Sequence, residues 1–160
     1  MKIYNPTTLA YFAGLADGEG CFGIRKATWH MRHGLARTPA YHEDIRIKMK
    51  DVIALRLLKT GFDGMLRRER KTAYWVWEVR DRRAANFAGR IMPFLKIKKR
   101  QARLLLKLRK SKDSWRKQGG YRGHHGGSMP VPTSVLKYRE KLFREVKRLN
   151  SGRRQRKQAD

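Results

Sequence analysis

The chain has 160 residues, which suits one domain, and 40% of them are hydrophobic. Lys and Arg number 40 against 13 Asp and Glu, so the net charge is +27 and the isoelectric point is about 11.2. Such an excess repels itself in a compact fold unless a polyanion neutralises it. Nucleic acid is therefore the expected partner; a membrane surface is the weaker alternative, and we predict no membrane partner. Four Trp, six Tyr and six Phe argue against a disordered basic tail. With no membrane-length apolar run and no secretory or targeting signal, we expect a soluble intracellular protein of the cytoplasm, nucleoid or an organelle matrix.

The first predicted element is a helix over "NPTTLAYFAGLAD", capped by Thr7 or Thr8. We expect it to end at Gly18, because Gly20 argues against continuation. A strand is predicted to begin at "CFGIRK", directly after these glycines.

The next elements alternate between strand and helix periodicity. In "YHEDIRIKMK" apolar and charged residues alternate, which is typical of a half-buried strand. The segment "DVIALRLLKTGFDG" predicts an amphipathic helix capped by Asp51 and stopped by Gly61. Two further strands are predicted over "MLRRERK" and "TAYWVWEVR", the second with Trp75, Trp77 and Val79 on one face.

The remaining sequence predicts mainly helices. One helix covers "RRAANFAGRIM" and ends before Pro93, and another covers about 98–108. Glycines and prolines in "GGYRGHHGGSMPVP" predict a loop before the last helix. The predicted organisation is a core at 1–110, a flexible loop at 111–132, a helix packing on the core at 133–150 and a basic disordered tail at 151–160.

This order predicts an α+β fold with a mixed αββαββα core and a four-stranded antiparallel sheet that has helices on one face. An antiparallel sheet can leave its other face open, and here that face is charged like a DNA-binding platform. For each charged residue the alternative is an ordinary solvated side chain. The candidates for DNA binding by alternation are Arg25, Lys26, His42, Asp44, Arg46, Lys48, Arg67, Glu69, Tyr74, Glu78 and Arg80.

The glycines of "GEGCFG" have the spacing of a dinucleotide-binding loop, and Glu43 and Asp44 follow where such a loop has its acidic residue. A Rossmann loop needs a strand before the first glycine and a helix after it, but the order predicted here is the reverse. A protein-kinase loop is excluded because the chain is short and lacks H-R-D and D-F-G. We therefore predict no nucleotide cofactor.

The predicted first helix carries small residues at Ala10, Ala13, Gly14 and Asp17, spaced i, i+3, i+4 and i+7. Such a face lets two helix backbones approach closely, either within the subunit or between two copies. Glu19 follows at the C-terminal end, where the helix dipole disfavours a carboxylate. A divalent metal, a nearby Arg or simple solvation would compensate for that charge.

The segment "FAGLADGEG" resembles the nine-residue signature of the LAGLIDADG homing endonucleases, with Glu19 at the final acidic position. A second segment, "MPFLKIKKRQARLLLKL", resembles the P-F-L-x-x-K-x-x-Q-A segment of single-motif members. The order of elements between the two segments is also similar. The resemblance covers residues 9–108.

The resemblance implies a homodimer in which the two motif helices pack across a twofold axis through Ala10, Ala13, Gly14 and Asp17. It implies a double-strand DNA endonuclease that cuts a long pseudo-palindromic site. The carboxylate of Glu19 and backbone oxygens near Gly18 would hold Mg2+, with Mn2+ as the alternative, so these two residues are the predicted metal ligands. The predicted catalytic residues are Glu19 and Lys98.

The sequence departs from the family pattern at the end of the second strand. A polar residue, often Gln, is expected near the active site there, but the matching place is Met49, so Lys48 or Lys50 could take the role instead. Lys98 could also be an ordinary member of the basic run around it. Two other functions stay open: a non-cleaving binder on the same scaffold, such as an intron maturase or regulator, and a structural RNA-binding protein.

Overall fold

The computed structural model describes residues 4–28, 38–118 and 131–156, and of 153–156 only the backbone. The part of the chain so described is an α+β fold with five helices and one antiparallel sheet. None of these helices is long and apolar enough to cross a bilayer. The elements are α1 (Pro6–Glu19), β1 (Gly20–Ala27), β2 (Ala40–Met49), α2 (Ile53–Phe62), β3 (Met65–Arg68), β4 (Trp75–Arg80), α3 (Asp81–Ile91), α4 (Lys99–Lys117) and α5 (Thr133–Arg156).

The four strands form one sheet in the order β1-β2-β4-β3, and every neighbouring pair is antiparallel. Phe22 lies opposite Ile45, and Ile45 lies opposite Val79, so these apolar side chains share one face. The helices cover that face, because all three residues are buried. The predicted fold class, including the antiparallel sheet with helices on one face, is confirmed.

The core lies between this face of the sheet and the helices, and aromatic rings fill much of it. The ring of Phe87 lies edge-on to Phe62 at 4.8 Å and to Trp77 at 5.0 Å, measured between centroids. Trp77 is fully buried, and its Nε1 donates a hydrogen bond to the carbonyl oxygen of Asp63 at 2.7 Å. The indole therefore connects the sheet to the end of α2.

The start of α1 differs from the prediction. Asn5 is the capping residue, since its Oδ1 accepts a hydrogen bond from the Thr8 amide at 2.8 Å, and Pro6 opens the helix. The prediction of Thr7 or Thr8 as the cap was therefore wrong. The helix also continues one residue beyond Gly18, through Glu19.

At the start of α2 the Asp51 carboxylate accepts a hydrogen bond from the Ile53 amide at 2.7 Å. The helix passes through Gly61, which was predicted to stop it, and ends one residue later. A Cβ at Gly61 would collide with the ring of Tyr4, so glycine is needed there for packing rather than for termination. The backbone leaves the helix at Asp63, whose φ is 59°.

The C-terminal half is more helical than predicted. Helix α4 continues to Lys117, so residues 111–117 of the predicted loop are helical. Ion pairs from α4 to Glu43 and to Arg82 hold this extension against β2 and α3. Residues 119–130 of that loop lie outside the described part of the chain.

Helix α5 continues to Arg156, so residues 151–156 are helical and the prediction of a disordered tail was wrong for them. Residues 157–160 lie outside the described part. Leu142 and Val146 of α5 are buried against the core, which places the helix beside β1 and α4.

Candidate active site

The end of α1 turns directly into β1 without a loop. Glu19 is the last residue of the helix, and its side chain is exposed. The amide of Gly20 donates to the carbonyl oxygen of Ala16, and a Cβ on Gly20 would lie 2.5 Å from that oxygen. Only glycine allows this close approach, so position 20 must be glycine for the backbone to turn from α1 into β1 directly after Glu19.

Lys98 binds the backbone carbonyl groups at the C-terminal end of α1. Its side chain is only 6% exposed, and Nζ donates to the carbonyl oxygens of Ala16 at 2.8 Å and Asp17 at 2.6 Å. The Gly18 carbonyl oxygen lies 3.5 Å from the same nitrogen. A cation in this position stabilises the negative end of the helix dipole. Lys98 and Glu19 therefore lie at the same end of α1 and line the same cavity, and their catalytic roles stay a prediction.

The Asp17 side chain in turn binds the backbone of the segment that contains Lys98. Its Oδ1 accepts a hydrogen bond from the Lys98 amide at 2.8 Å, and its Oδ2 accepts from the Lys96 amide at 2.7 Å. The Ile97 amide is 3.2 Å from Oδ2. Asp17 and Lys98 thus form a reciprocal clamp between the end of α1 and the start of α4. The Asp17 carboxylate is therefore bonded within the subunit, and its predicted place at a dimer interface stays a prediction.

The predicted small-residue face of α1 is divided. Ala13 is fully buried in the core of its own subunit, so its side chain is not accessible to a second copy and its assignment to a dimer interface was wrong. Ala10 and Gly14 are exposed, and a Cβ on Gly14 or Gly18 would meet no atom within 4 Å. The open face of α1 is therefore rotated from the predicted one and includes Tyr11, which is 50% exposed.

A cavity of about 490 Å3 adjoins Glu19 between the edge strand β1 and helix α5. Lys98, Lys147 and Asn150 contribute to its wall. Asn150 Nδ2 donates to the carbonyl oxygen of Phe22 at 2.9 Å and so holds α5 against the edge of the sheet. Sequence reasoning missed this wall; the available signal was that Lys147 and Asn150 share a helix face at spacing i, i+3.

The open face of the sheet carries a network of opposite charges. Asp44 pairs with Arg46 at 3.0 Å and with Arg80 at 3.3 Å. Glu78 pairs with the same two guanidinium groups. Asp44 and Glu78 are almost fully buried beneath these cations, whereas the two Arg side chains are about half exposed. Alternation predicted the shared face of these four residues correctly.

A second group on this face surrounds Glu69. Lys48 Nζ donates to Glu69 Oε2 at 2.6 Å and lies 4.9 Å from the centre of the Tyr74 ring. The hydrogen bond from Lys48, and then that from Thr72, hold the pKa of Glu69 below its usual value. Arg67 is exposed on the neighbouring strand β3.

Arg25 and His42 lie opposite each other at the far end of the β1–β2 pair. His42 Nδ1 is 2.9 Å from Asp81 Oδ1, which fixes the orientation of the ring. Lys26, in contrast, lies opposite Tyr41 on the helix-covered face, so its assignment to the DNA-binding face was wrong. Adjacent residues in a strand point to opposite faces, and Arg25 occupies the open one.

Lys26 takes part in a cluster that joins β1 and β2 to α5. Its Nζ donates to Glu140 Oε2 at 2.8 Å, and the Tyr41 hydroxyl donates to the same oxygen at 2.6 Å. The hydrogen bonds from Lys26 and Tyr41 lower the pKa of Glu140 from 4.5 to about 2. Burial, followed by the hydrogen bond to Glu140, raises the pKa of Tyr41.

Because the pKa of Glu140 is lowered in the folded protein, its carboxylate stabilises the fold above pH 4.5, and this contribution is lost as the pH falls towards 2. We expect the difference in free energy of unfolding between wild type and Glu140→Gln to be constant at neutral pH and to shrink through this acidic range. Urea denaturation at a series of pH values measures it. A difference that is unchanged at low pH would contradict this account.

A buried ionic group lies two residues further along β2, at Glu43. Glu43 is fully buried, and its two oxygens accept from Arg109 Nε and Nη2, each at 2.9 Å. Lys112 Nζ bridges Glu43 at 2.8 Å and Asp81 at 2.9 Å. Burial alone would raise the pKa of Asp81, but hydrogen bonds from Lys112 and His42 outweigh it and leave the pKa lowered. This group fixes α4 on the sheet and shares no residue with the end of α1.

At the end of β2, where the family pattern predicts a polar residue near the active site, the chain has Met49 between two lysines. Met49 packs against the core, the ammonium of Lys48 is bound to Glu69, and Lys50 Nζ lies 5.9 Å from the Tyr74 ring. Neither lysine contacts Glu19 within the described residues.

The atoms at the end of α1 that could bind a metal ion are oxygens. One chain supplies the Glu19 carboxylate and the Gly18 carbonyl, and oxygen donors suit Mg2+ or Mn2+. Over the described ranges no group of three or more His, Cys, Asp or Glu side chains is placed to hold a metal. The residues present therefore fit a hard divalent ion only if other oxygens, from a second copy, water or phosphate, complete its coordination.

No protein-family model and no curated protein sequence matches the chain. Solved structures do match it. The homing endonuclease I-CvuI, in complex with its target in the presence of Ca, aligns with a TM-score of 0.68 at 16% identity, over 89% of this chain and 82% of that one. The archaeal intron-encoded homing endonuclease I-Vdi141I, complexed with DNA, gives 0.66 at 16% identity, over 89% and 84%.

The LAGLIDADG homing endonuclease I-GzeII, in complex with its DNA target, gives a TM-score of 0.59 at 19% identity and covers 88% of this chain but 44% of that one. The chain therefore has the fold of the LAGLIDADG homing endonucleases, and the resemblance of its two sequence segments is confirmed at the level of the fold.

Proposed function

We propose that the protein is a site-specific DNA endonuclease that cuts both strands as a homodimer with a divalent metal ion. One observation carries the proposal. Every other acidic side chain in the described part of the chain accepts a hydrogen bond or forms an ion pair, whereas the Glu19 side chain does neither. A lone carboxylate at the negative end of a helix, in a chain with 40 basic residues, is arranged to hold a cation.

Glu19 and the Gly18 carbonyl are the proposed ligands of Mg2+, with Mn2+ as the alternative. When bound, such an ion activates water and stabilises the leaving 3′ oxygen of a phosphodiester. The clamp between Asp17 and Lys98 keeps the end of α1 in place, and Gly20 lets the chain turn into β1 directly after Glu19. The Lys98 ammonium adds a fixed positive charge close to where the scissile phosphate would lie.

The open face of α1 supports the homodimer. Ala10 and Gly14 are exposed, and a Cβ on Gly14 or Gly18 would meet open space, so a second helix backbone could approach closely. A twofold axis along this face would bring the two copies of Glu19 together. The second copy would then supply oxygen atoms that a single chain lacks. Two related sites would cut the two strands of a pseudo-palindromic sequence.

The charge pattern of the open sheet face supports the proposal that its side chains recognise a specific DNA sequence. Arg46 and Arg80 can donate to guanine. Asp44 and Glu78 lie buried beneath them and hold the two guanidinium groups in orientation through ion pairs. Arg25, Lys48 and Arg67 are placed to contact phosphates or bases from the same face. A mixed-charge surface of this kind is suited to a specific sequence more than to uniform attraction to the backbone.

Incubating the wild-type protein with a randomised duplex library, with Mg2+ or with EDTA, tests the proposal. We expect cleavage of one pseudo-palindromic sequence with Mg2+ and none with EDTA, in the presence of excess competitor DNA. The alternative is a non-cleaving nucleic-acid-binding protein, such as an intron maturase or regulator. Selective binding to one sequence without cleavage under Mg2+ or Mn2+ would favour that alternative.

A further inference from the structure

Helix α4 carries a row of exposed basic side chains on the side opposite its buried leucines. Arg103, Lys107, Lys110 and Lys117 are exposed and follow one another at intervals of three, four or seven residues. These intervals place them on one face of an α-helix. Leu104, Leu105 and Leu108 of the same helix are buried in the core, so the row points away from the sheet.

Helix α5 carries a second row with the same spacing. Lys137, Lys141, Arg144 and Arg148 are exposed and lie at intervals of three or four residues. Leu142 is buried against the core, so this row also faces outward.

The two helices that carry these rows lie side by side. Arg100 of α4 pairs with Glu145 of α5 at 2.7 Å, and Arg139 Nη2 of α5 donates to the Ser111 carbonyl oxygen of α4 at 3.2 Å. The helices are therefore antiparallel neighbours, with axes about 8–10 Å apart. We call the two rows together the helix-layer surface. It lies on the side of the sheet opposite the face that carries Asp44 and Arg46.

The helix-layer surface has little negative charge to offset it. Glu145 is held by Arg100, Glu140 by Lys26 and Arg144, and Asp113 by Arg82 and Arg109. The row members without a carboxylate partner in the described part of the chain are Arg103, Lys107, Lys110, Lys117, Lys137, Lys141 and Arg148.

The open sheet face is different, because its cations alternate with Asp44, Glu69 and Glu78. A row of cations about 5–10 Å apart along a helix attracts a polyanion without reading bases. Its self-repulsion costs free energy in the absence of such a partner.

We propose that the helix-layer surface is a second DNA-binding surface, which holds the phosphate backbone of another double-stranded segment while the sheet face holds the target. The choice of DNA rests on the proposed function, because a protein bound to long DNA meets further duplex at high effective concentration. The surface would bind without sequence preference and with strong dependence on salt.

The test measures capture of a second duplex. A duplex of unrelated sequence is fixed to beads and saturated with the protein, and capture of a fluorescent duplex is followed over a range of salt concentrations. Arg103→Gln/Lys107→Gln removes two charges from the helix-layer surface. Arg56→Gln/Lys59→Gln is the matched control, since it removes one exposed Arg and one exposed Lys from α2. Circular dichroism and thermal melting check that both variants are folded.

We expect the slope of log affinity against log salt for the second duplex to fall by about 2 in the helix-layer variant and to be unchanged in the control. The proposal would be overturned if the helix-layer variant captured the second duplex as wild type does, with the same salt slope. It would also be overturned if the control variant lost as much of that slope as the helix-layer variant. Displacement of the captured DNA by duplex RNA at a much lower concentration would show that the occupant is RNA and would overturn it too. Cleavage of the selected duplex by wild type is measured separately. Capture of a second duplex by wild type without any cleavage would count against the proposed function alone.

Discussion

Replacing Lys98 with Met is expected to reduce DNA cleavage by about 100-fold or more, since a fixed donor near developing charge contributes that much in comparable sites. The side chain is buried, and its ammonium is bound to the last carbonyl groups of α1 directly before Glu19. Methionine fills a similar volume but leaves those carbonyl groups without their cation. We therefore also expect a loss of about 1.5–3 kcal/mol in the free energy of unfolding.

Lys96→Met is the matched control for this prediction. Lys96 belongs to the same basic run, but its side chain is exposed and only its backbone amide takes part in the clamp. We expect it to keep cleavage within a few-fold of wild type. If both substitutions reduced cleavage equally, Lys98 would be an ordinary member of the run, and its assigned role at the end of α1 would be wrong.

Glu43→Ala is expected to destabilise the protein by about 3–5 kcal/mol, because removal of one partner leaves buried charges uncompensated. Glu43 is fully buried, and Arg109 and Lys112 are bound to it from α4. Their charges would lose the carboxylate that now joins α4 to the sheet. Urea denaturation of the variant measures the loss.

Glu145→Ala serves as the comparison, since its partner Arg100 is 60% exposed and a surface pair contributes about 0–1 kcal/mol. A loss of less than about 1 kcal/mol for Glu43→Ala would mean that the buried group is not what holds α4 in place.

Local patterns predicted the parts of the fold that depend on local physics. Alternation in β2 placed Asp44 on the open face of the sheet and Ile45 on the helix-covered face, since side chains on a strand alternate strictly between faces. The same rule shows why Lys26 could not share a face with Arg25. The two motif segments also predicted that residues near 19 and 98 lie close together, and Glu19 and Lys98 line the same cavity.

Contacts between distant segments could not be read from the sequence. The burial of Glu43 depends on cations 66 and 69 residues away, and Asp17 binds amides about 80 residues away. Without these partners, Glu43 resembles an ordinary surface acid, and Asp17 resembles one more small residue on a helix face. The helical continuation of α4 has the same origin, since ion pairs across elements stabilise residues whose local composition suggested a loop.

The most direct test of the account compares wild type with Glu19→Gln on the duplex selected from the library, with Mg2+ and with EDTA. The amide keeps the size of the side chain but removes the charge that would hold the metal. We expect wild type to cut both strands only with Mg2+, and the variant to bind the same duplex with similar affinity and leave it intact. Cleavage by Glu19→Gln at the wild-type rate would contradict the central claim that this carboxylate holds the catalytic metal.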